Sequence, residues 1–194
     1  MSWHRLRIGL FVVVAVIQLA VAGGAIFRSE LALRTGEVIR IRVQPVDPVD
    51  AFRGRYVTIR MAENRAPAPD SFEHRPRQKV FVPLSSDSDG YAVFGPAAHE
   101  APDEGVYLEL LSGGVFSDEN GKKWVSLSTT PFGRYYMDER LAPQAERAVW
   151  NAPRGQRIAS ITVRVRNGFG VLEELWIEDQ PILQWLEEHT DEDR

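Results

Sequence analysis

Two glutamates and one arginine have side chains whose chemistry would suit a reaction on a polar substrate. Glu139 and Glu146 are seven positions apart, about two helical turns, so a helix through both would present the two carboxylates on one face. Paired carboxylates can act as general acid and general base, and Arg53 would orient the substrate. One hypothesis is therefore an extracytoplasmic hydrolase or glycan-active enzyme with both carboxylates in a cleft, although a solvated helix face has the same spacing.

Other catalytic groupings are missing from the sequence. It has no cysteine, which excludes disulfides, thiolate zinc sites and cysteine nucleophiles, and its four histidines are far apart along the chain. It also lacks a Gly-x-Ser-x-Gly elbow, a Ser-x-x-Lys motif and a phosphate-binding glycine-rich loop. The sequence therefore predicts no catalytic residue, no metal site and no cofactor, and it favours a non-enzymatic protein.

Residues 45–57 combine helix-capping signals with charged and aromatic side chains. Asp47 is typical of a helix N-cap, Asp50 suits the first turn and Gly54 suits the end of one or two turns. This interpretation is purely structural, and it leaves three side chains unexplained: Arg53, Arg55 and Tyr56. They are predicted to form a polar surface for a ligand or partner that bears a carboxylate.

A second polar block lies at residues 131–146. The order of its residue types predicts a Pro/Gly turn, an aromatic strand with Arg134 and Tyr135, and a short helix. Glu139 suits the start of that helix because carboxylates are favoured near a helix N-terminus. The alternative is that Glu139 or Glu146 faces Arg53 or Arg134 across a groove, since buried charges need partners.

The run from Gly54 to Met61, GRYVTIRM, resembles the signature of the GDYXXLXY protein family. Gly54 and Tyr56 match the signature, and Ile59 is a conservative replacement for its leucine. Two positions depart from it, because Arg55 replaces the aspartate and Met61 replaces the final tyrosine. Any role that needs an acid at the second signature position is therefore not supported by this chain.

The resemblance extends over the N-terminal apolar segment, the strand before the signature and the block at 131–146, to about residue 177. It implies a bacterial membrane-anchored protein of a family without an assigned activity. It also implies a partner, a multi-pass membrane protein with which this chain would form a complex.

A transmembrane segment is predicted from Ile8 to Phe27. These 20 residues carry no charge and span roughly 30 Å as a helix, the thickness of the bilayer core. A cleavable signal peptide is the alternative, because Ala20 and Ala22 fit the small-x-small cleavage rule. The apolar run continues beyond that site to full spanning length, which favours a retained anchor that contacts the lipid bilayer.

The charge distribution bears on location and on partners. Long downstream domains are translocated largely regardless of their charge, so we expect the short head in the cytoplasm and the body outside the bacterial cytoplasmic (inner) membrane, as in a periplasmic domain.

The net charge is −4, and nine of the 27 acidic residues follow Leu172. Only three lysines are present and the arginines are scattered, which argues against nucleic-acid binding.

The body has the short alternating runs of a β-rich domain. Val38, Arg40 and Arg42 are predicted on one face of the first strand, opposite Ile39, Ile41 and Val43. Turn residues separate the runs, and Asn167-Gly168 marks the clearest hairpin. Strands are predicted at 37–43, 56–61, 79–84, 91–94, 106–111, 123–128, 158–166 and 171–177, and an exposed loop at 62–78.

Two short helices are predicted, at 139–150 and 181–189. The expected fold is mainly β, an antiparallel sandwich or barrel-like structure with one or two short helices, plus one N-terminal transmembrane helix. The predicted organisation is a head and anchor at 1–27, a juxtamembrane linker at 28–36, a β-rich extracytoplasmic domain at 37–178, and a short helix with an acidic tail at 179–194.

Overall fold

The computed structural model describes residues 3–44, 56–70, 72–73, 77–152 and 158–189. Within them the structure has three α-helices, α1 (Trp3–Thr35), α2 (Ala142–Asn151) and α3 (Ile182–His189). It has twelve strands, β1 (Glu37–Gln44), β2 (Tyr56–Thr58), β3 (Arg60–Met61), β4 (Arg65–Pro67), β5 (Lys79–Ser86), β6 (Ala92–Phe94), β7 (Tyr107–Ser117), β8 (Lys123–Ser128), β9 (Arg134–Tyr136), β10 (Ala159–Arg166), β11 (Phe169–Ile177) and β12 (Gln180–Pro181).

The strands form two five-stranded sheets and a two-stranded ribbon, and every pairing between these strands is antiparallel. The first sheet has the order β12-β11-β10-β1-β3, the second has the order β4-β8-β7-β5-β6, and the ribbon pairs β2 with β9. Isolated bridges, Arg40 to Tyr91 and Leu108 to Gly168, connect the two large sheets. The expected class, mainly antiparallel β with short helices and one N-terminal apolar helix, is confirmed.

The core joins the inner faces of both sheets. Ile41, Ile161 and Leu175 belong to the first sheet, Val80 and Val125 belong to the second, and all five are almost completely buried. The alternation predicted for β1 accounts for this arrangement, because residues two apart on a strand share a face. Branched apolar side chains on the inner face of β1 therefore enter the core, while Arg40 and Arg42 stay on the outer face.

A β-bulge in β11 changes which side chains of that strand face the core. Thr162 pairs with Glu174 and Val163 pairs with Leu172, so Glu173 is the extra residue. Strict alternation from Leu175 would place Glu173 on the core face. The extra residue instead brings Leu172 against the core and leaves Glu173 exposed, where it forms an ion pair with Arg164 at 2.8 Å.

Helix α1 is continuous through the predicted juxtamembrane linker. It is long and apolar enough to cross a membrane, and its last two turns contact β10 and β11. Ser29 and Arg34, within that predicted linker, lie inside the helix. Gly36 directly follows the helix, and the Gly36 N–H donates to the Ala32 carbonyl at 2.8 Å.

Several predicted elements differ from the observed ones. The single strand predicted at 56–61 is divided into β2, which pairs with β9, and β3, which pairs with β1. The segment expected as an exposed loop contains β4, which pairs with β8 and buries Ala66 completely. A three-residue strand is too short for alternation to reveal, so that prediction was wrong. Helix α2 begins at Ala142 instead of position 139, because Pro143 has no backbone N–H and suits only the first turn of a helix.

Candidate functional site

The ribbon of β2 and β9 brings the two polar blocks of the sequence together. Tyr56 pairs with Tyr136, and Thr58 pairs with Arg134. Because side chains alternate along a strand, Tyr56, Arg134 and Tyr136 share the outer face of the ribbon. We call these three side chains the aromatic–arginine patch.

The three side chains of the patch contact one another and face solvent. The Arg134 guanidinium lies 4.8 Å from the centre of the Tyr56 ring, within cation–π range. The Tyr56 and Tyr136 rings meet edge to face with centroids 5.8 Å apart, and Tyr136 is 68% exposed. A hydrogen bond to the Tyr136 hydroxyl, followed by the electrostatic influence of Tyr56, raises the pKa of Arg134. The patch therefore offers a fixed positive charge between two tyrosines.

Tyr135 lies on the opposite side of the ribbon from the patch. Its ring packs against the core, and its hydroxyl donates to Glu174 Oε1 at 2.5 Å. The same oxygen accepts the Leu175 backbone N–H at 3.1 Å. Burial is the main cause that raises the pKa of Tyr135 well above the ordinary value. The hydrogen bond to the Glu174 carboxylate and the negative charge of that carboxylate raise this pKa further. Tyr135 therefore anchors β9 to β11 and does not face the same surface as Tyr56.

The two glutamates of the hydrolase hypothesis occupy different kinds of position. Glu139 is exposed in the turn before α2, where the Asp138 carbonyl accepts the N–H groups of Leu141 and Ala142 at 3.0 Å. Glu146 lies within α2, with Oε1 3.5 Å from the backbone nitrogen of Thr58 in β2. The prediction that Glu139 and Glu146 share one helix face is wrong, because the helix starts after Glu139.

A shallow groove adjoins the patch. Its volume is about 430 Å³, it is open to solvent, and its lining is the continuous run Tyr136, Met137, Asp138, Glu139 and Arg140. Tyr136 therefore belongs to both the groove and the patch. The lining carries two consecutive acidic side chains, Asp138 and Glu139, followed by the basic side chain of Arg140.

Five predicted site residues lie outside the described residues: Asp47, Asp50, Arg53, Gly54 and Arg55. The described chain stops at Gln44 and resumes at Tyr56, a member of the patch. Their convergence with Arg134, Glu139 or Glu146 stays a prediction. Among the described site residues, the structure brings Tyr56 and Arg134 together.

Sequence reasoning missed a second polar cluster, on the outer face of β1. Arg42 binds Asp87 at 2.6 Å and Asp89 at 3.0 Å, and its guanidinium lies 4.1 Å from the centre of the Tyr91 ring. Arg40 binds Asp179 at 2.8 Å. The outward arginines of β1 and the acidic turn at 87–89 were visible in the sequence, but the sheet topology that joins them was not.

This cluster fastens the turn between β5 and β6 onto β1. The Asp87 carboxylate also accepts the Tyr91 backbone N–H at 2.9 Å. That bond, followed by the Arg42 hydrogen bond, lowers the pKa of Asp87. The ion pairs of Arg42 with Asp87 and Asp89 therefore connect the two sheets, whereas the pair of Arg40 with Asp179 lies within the first sheet.

Comparison with known proteins assigns most of the chain to one family. No curated protein and no solved structure matches the chain. The sequence model of the family described as "GDYXXLXY protein" matches residues 18–175, from the middle of α1 to β11. That interval includes the second half of the apolar segment, the signature strand β2 and the whole patch, and it is more than half of the chain. The chain therefore belongs to the GDYXXLXY protein family.

Proposed function

We propose that this protein is a membrane-anchored, non-enzymatic accessory subunit that binds a multi-pass membrane protein. Helix α1 spans the cytoplasmic membrane of a bacterium, and the β-rich domain lies on the outer side. The observation on which the proposal rests is the exposed aromatic–arginine patch on a domain joined directly to a membrane-length apolar helix.

The character of α1 supports a retained anchor. Its large apolar side chains are exposed along the segment, including Leu10, Ile17 and Phe27. Exposed apolar side chains on this scale are stable in lipid and not in water. The family match also begins inside this segment, at residue 18, so the second half of the segment is part of the sequence that the family model covers.

The long domain that follows α1 supports the proposed orientation. It contains the strands from Glu37 onward, and long domains are translocated largely irrespective of their charge.

The chemistry of the patch supports a protein partner that bears a carboxylate. Tyrosine and arginine are enriched among the residues that contribute most to protein interfaces. Tyr136 offers a large exposed ring, and Arg134 offers a guanidinium that can form two parallel hydrogen bonds to a carboxylate. The neighbouring groove would receive the polar rim of the same partner.

Site-specific photocrosslinking in membranes tests the proposal. A photoreactive phenylalanine analogue at Tyr136 is expected to capture one discrete multi-pass membrane protein, and Arg134→Ala is expected to weaken that product. The matched control is the same analogue at Phe116, an exposed aromatic on β7, which should not give the product. Recovery of an uncrosslinked monomer from position 136, or an identical product from position 116, would refute the proposed binding surface.

A further inference from the structure

The β domain is joined to α1 without a flexible linker. The last two turns of α1 pack on β10 and β11, and Ala32 is only 1% exposed there. A Cβ at Gly36 would collide with the Ala32 carbonyl and lie 3.1 Å from backbone atoms of Val165. Because backbone atoms cannot move aside cheaply, the path from helix to domain is fixed.

The tip of the β10–β11 hairpin lies beside the point where the apolar segment ends. Arg28 directly follows Phe27, and its guanidinium lies 4.0 Å from the centre of the Phe169 ring. Side chains on a helix lean toward its N-terminus, here toward the proposed membrane. The contact therefore places the Phe169 ring within about one helical turn of the end of the apolar run.

The hairpin tip is also held from the side of the second sheet. Gly168 has a φ of 76°, and a Cβ there would approach the Tyr107 ring at 2.5 Å. The Gly168 carbonyl accepts the Glu109 N–H at 2.8 Å. The tip is thus fixed to α1 on one side and to β7 on the other, so it cannot swing away from the helix end.

We propose that the hairpin tip, residues 166–169, rests in the phospholipid headgroup layer and sets one orientation of the domain on the bilayer. The inference rests on the proposed anchoring by α1. At that depth the apolar Phe169 ring can bury surface at the boundary between headgroups and acyl chains. Arg28 and the exposed Arg166 are placed to donate hydrogen bonds to lipid phosphates.

Spin labels on single cysteines test this placement, since the natural chain has no cysteine. The labelled positions are Asn167→Cys at the hairpin tip and Asn120→Cys at the exposed turn between β7 and β8. Ile17→Cys reports the middle of α1. The full-length chain is reconstituted in vesicles of phosphatidylethanolamine and phosphatidylglycerol, and the accessibility of each label to oxygen and to a water-soluble nickel chelate gives its depth.

The label at 167 is expected within about 10 Å of the phosphate plane and shielded from the nickel chelate, as residues at the headgroup boundary are. The label at 120 is expected to be fully accessible to the chelate. Circular dichroism of each labelled variant verifies that the β domain is folded.

The outcomes separate the inference from the function on which it rests. A shielded label at 17 with equal nickel accessibility at 167 and 120 would overturn the hairpin placement and leave the anchor intact. Nickel access to the label at 17 would show that α1 does not insert, which would refute the proposed anchor and the placement together.

Discussion

The hydrogen bond between Tyr135 and Glu174 gives the sharpest test of how the ribbon is fastened to the core. Tyr135→Phe removes one hydroxyl and leaves the half-buried Glu174 carboxylate without one of its hydrogen-bond donors. Hydrogen bonds to charged groups contribute about 1.5–3 kcal/mol, and the partial exposure of this pair argues for the lower end. For a domain of this size, a loss of about 1.5 kcal/mol lowers the melting temperature by about 3–6 °C.

The assay is thermal unfolding of the full chain in detergent micelles, followed by near-ultraviolet circular dichroism. The matched control is Tyr136→Phe, which removes a hydroxyl from the neighbouring residue on the exposed side of the strand. A surface change of that kind is expected to stay within about 0.5 kcal/mol of the natural chain. Equal melting temperatures for the Tyr135→Phe variant and the natural chain at neutral pH would refute the stabilising role of this contact.

The pH dependence gives an independent check on the same bond. The pKa of Tyr135 is raised in the fold, so the folded state favours the protonated phenol more than the unfolded chain does. This contribution is complete below the ordinary tyrosine pKa of 10.0 and is lost progressively as the pH rises above it. The advantage of the natural chain over Tyr135→Phe should therefore shrink above about pH 10, and an advantage unchanged with pH would contradict the assignment.

Further predictions concern the sheet contacts. The fold lowers the pKa of Asp87, so its carboxylate stabilises the folded state fully above the ordinary aspartate pKa of 3.8 and progressively less as the pH falls below that value. Asp87→Asn should remove this stabilisation. Melting temperatures of the variant and the natural chain that differ by the same amount at every acid pH would contradict the prediction. Gly168→Ala should lower the free energy of unfolding of the protein by at least about 1 kcal/mol more than Gly121→Ala does, as measured by unfolding in urea. Both glycines have a φ of 76°, but only Gly168 lacks room for a Cβ, and equal losses would disprove the close packing on Tyr107.

Local patterns were sufficient to predict much of the fold. Alternation in β1 predicted that Ile39 and Ile41 face inward and that Arg40 and Arg42 face outward, as observed. The Asn167-Gly168 turn predicted the β10–β11 hairpin, because both positions need a positive φ that these residues tolerate. These features depend on neighbours in the chain, which is why a single sequence reveals them.

Features that depend on distant contacts were not predictable. The bulge at Glu173 follows from pairing with β10, and the binding of Arg42 by Asp87 follows from the path of the β5–β6 turn. Strand β4 is ordered mainly by its partner β8. In each case the determining residue is far along the chain, and nothing in the local pattern specifies it.

The candidate site was predicted in part. Tyr56 and Arg134 were identified from two separate motifs, and the β2–β9 ribbon brings them together. Tyr135 was grouped with them because it belongs to the same motif, yet strand alternation turns it toward the core. Tyr136, an exposed member of the patch, was missed as a site residue, although its position two residues from Arg134 on a strand was a usable signal.

Whether α1 is a retained anchor that holds the β domain at the membrane is tested most directly by the mature mass of the protein. Intact mass spectrometry of the washed membrane fraction is predicted to find a chain that keeps the whole apolar segment from Ile8 to Phe27. A soluble product that lacks residues 1–22 would show that the segment is a cleaved signal peptide and would contradict a retained anchor.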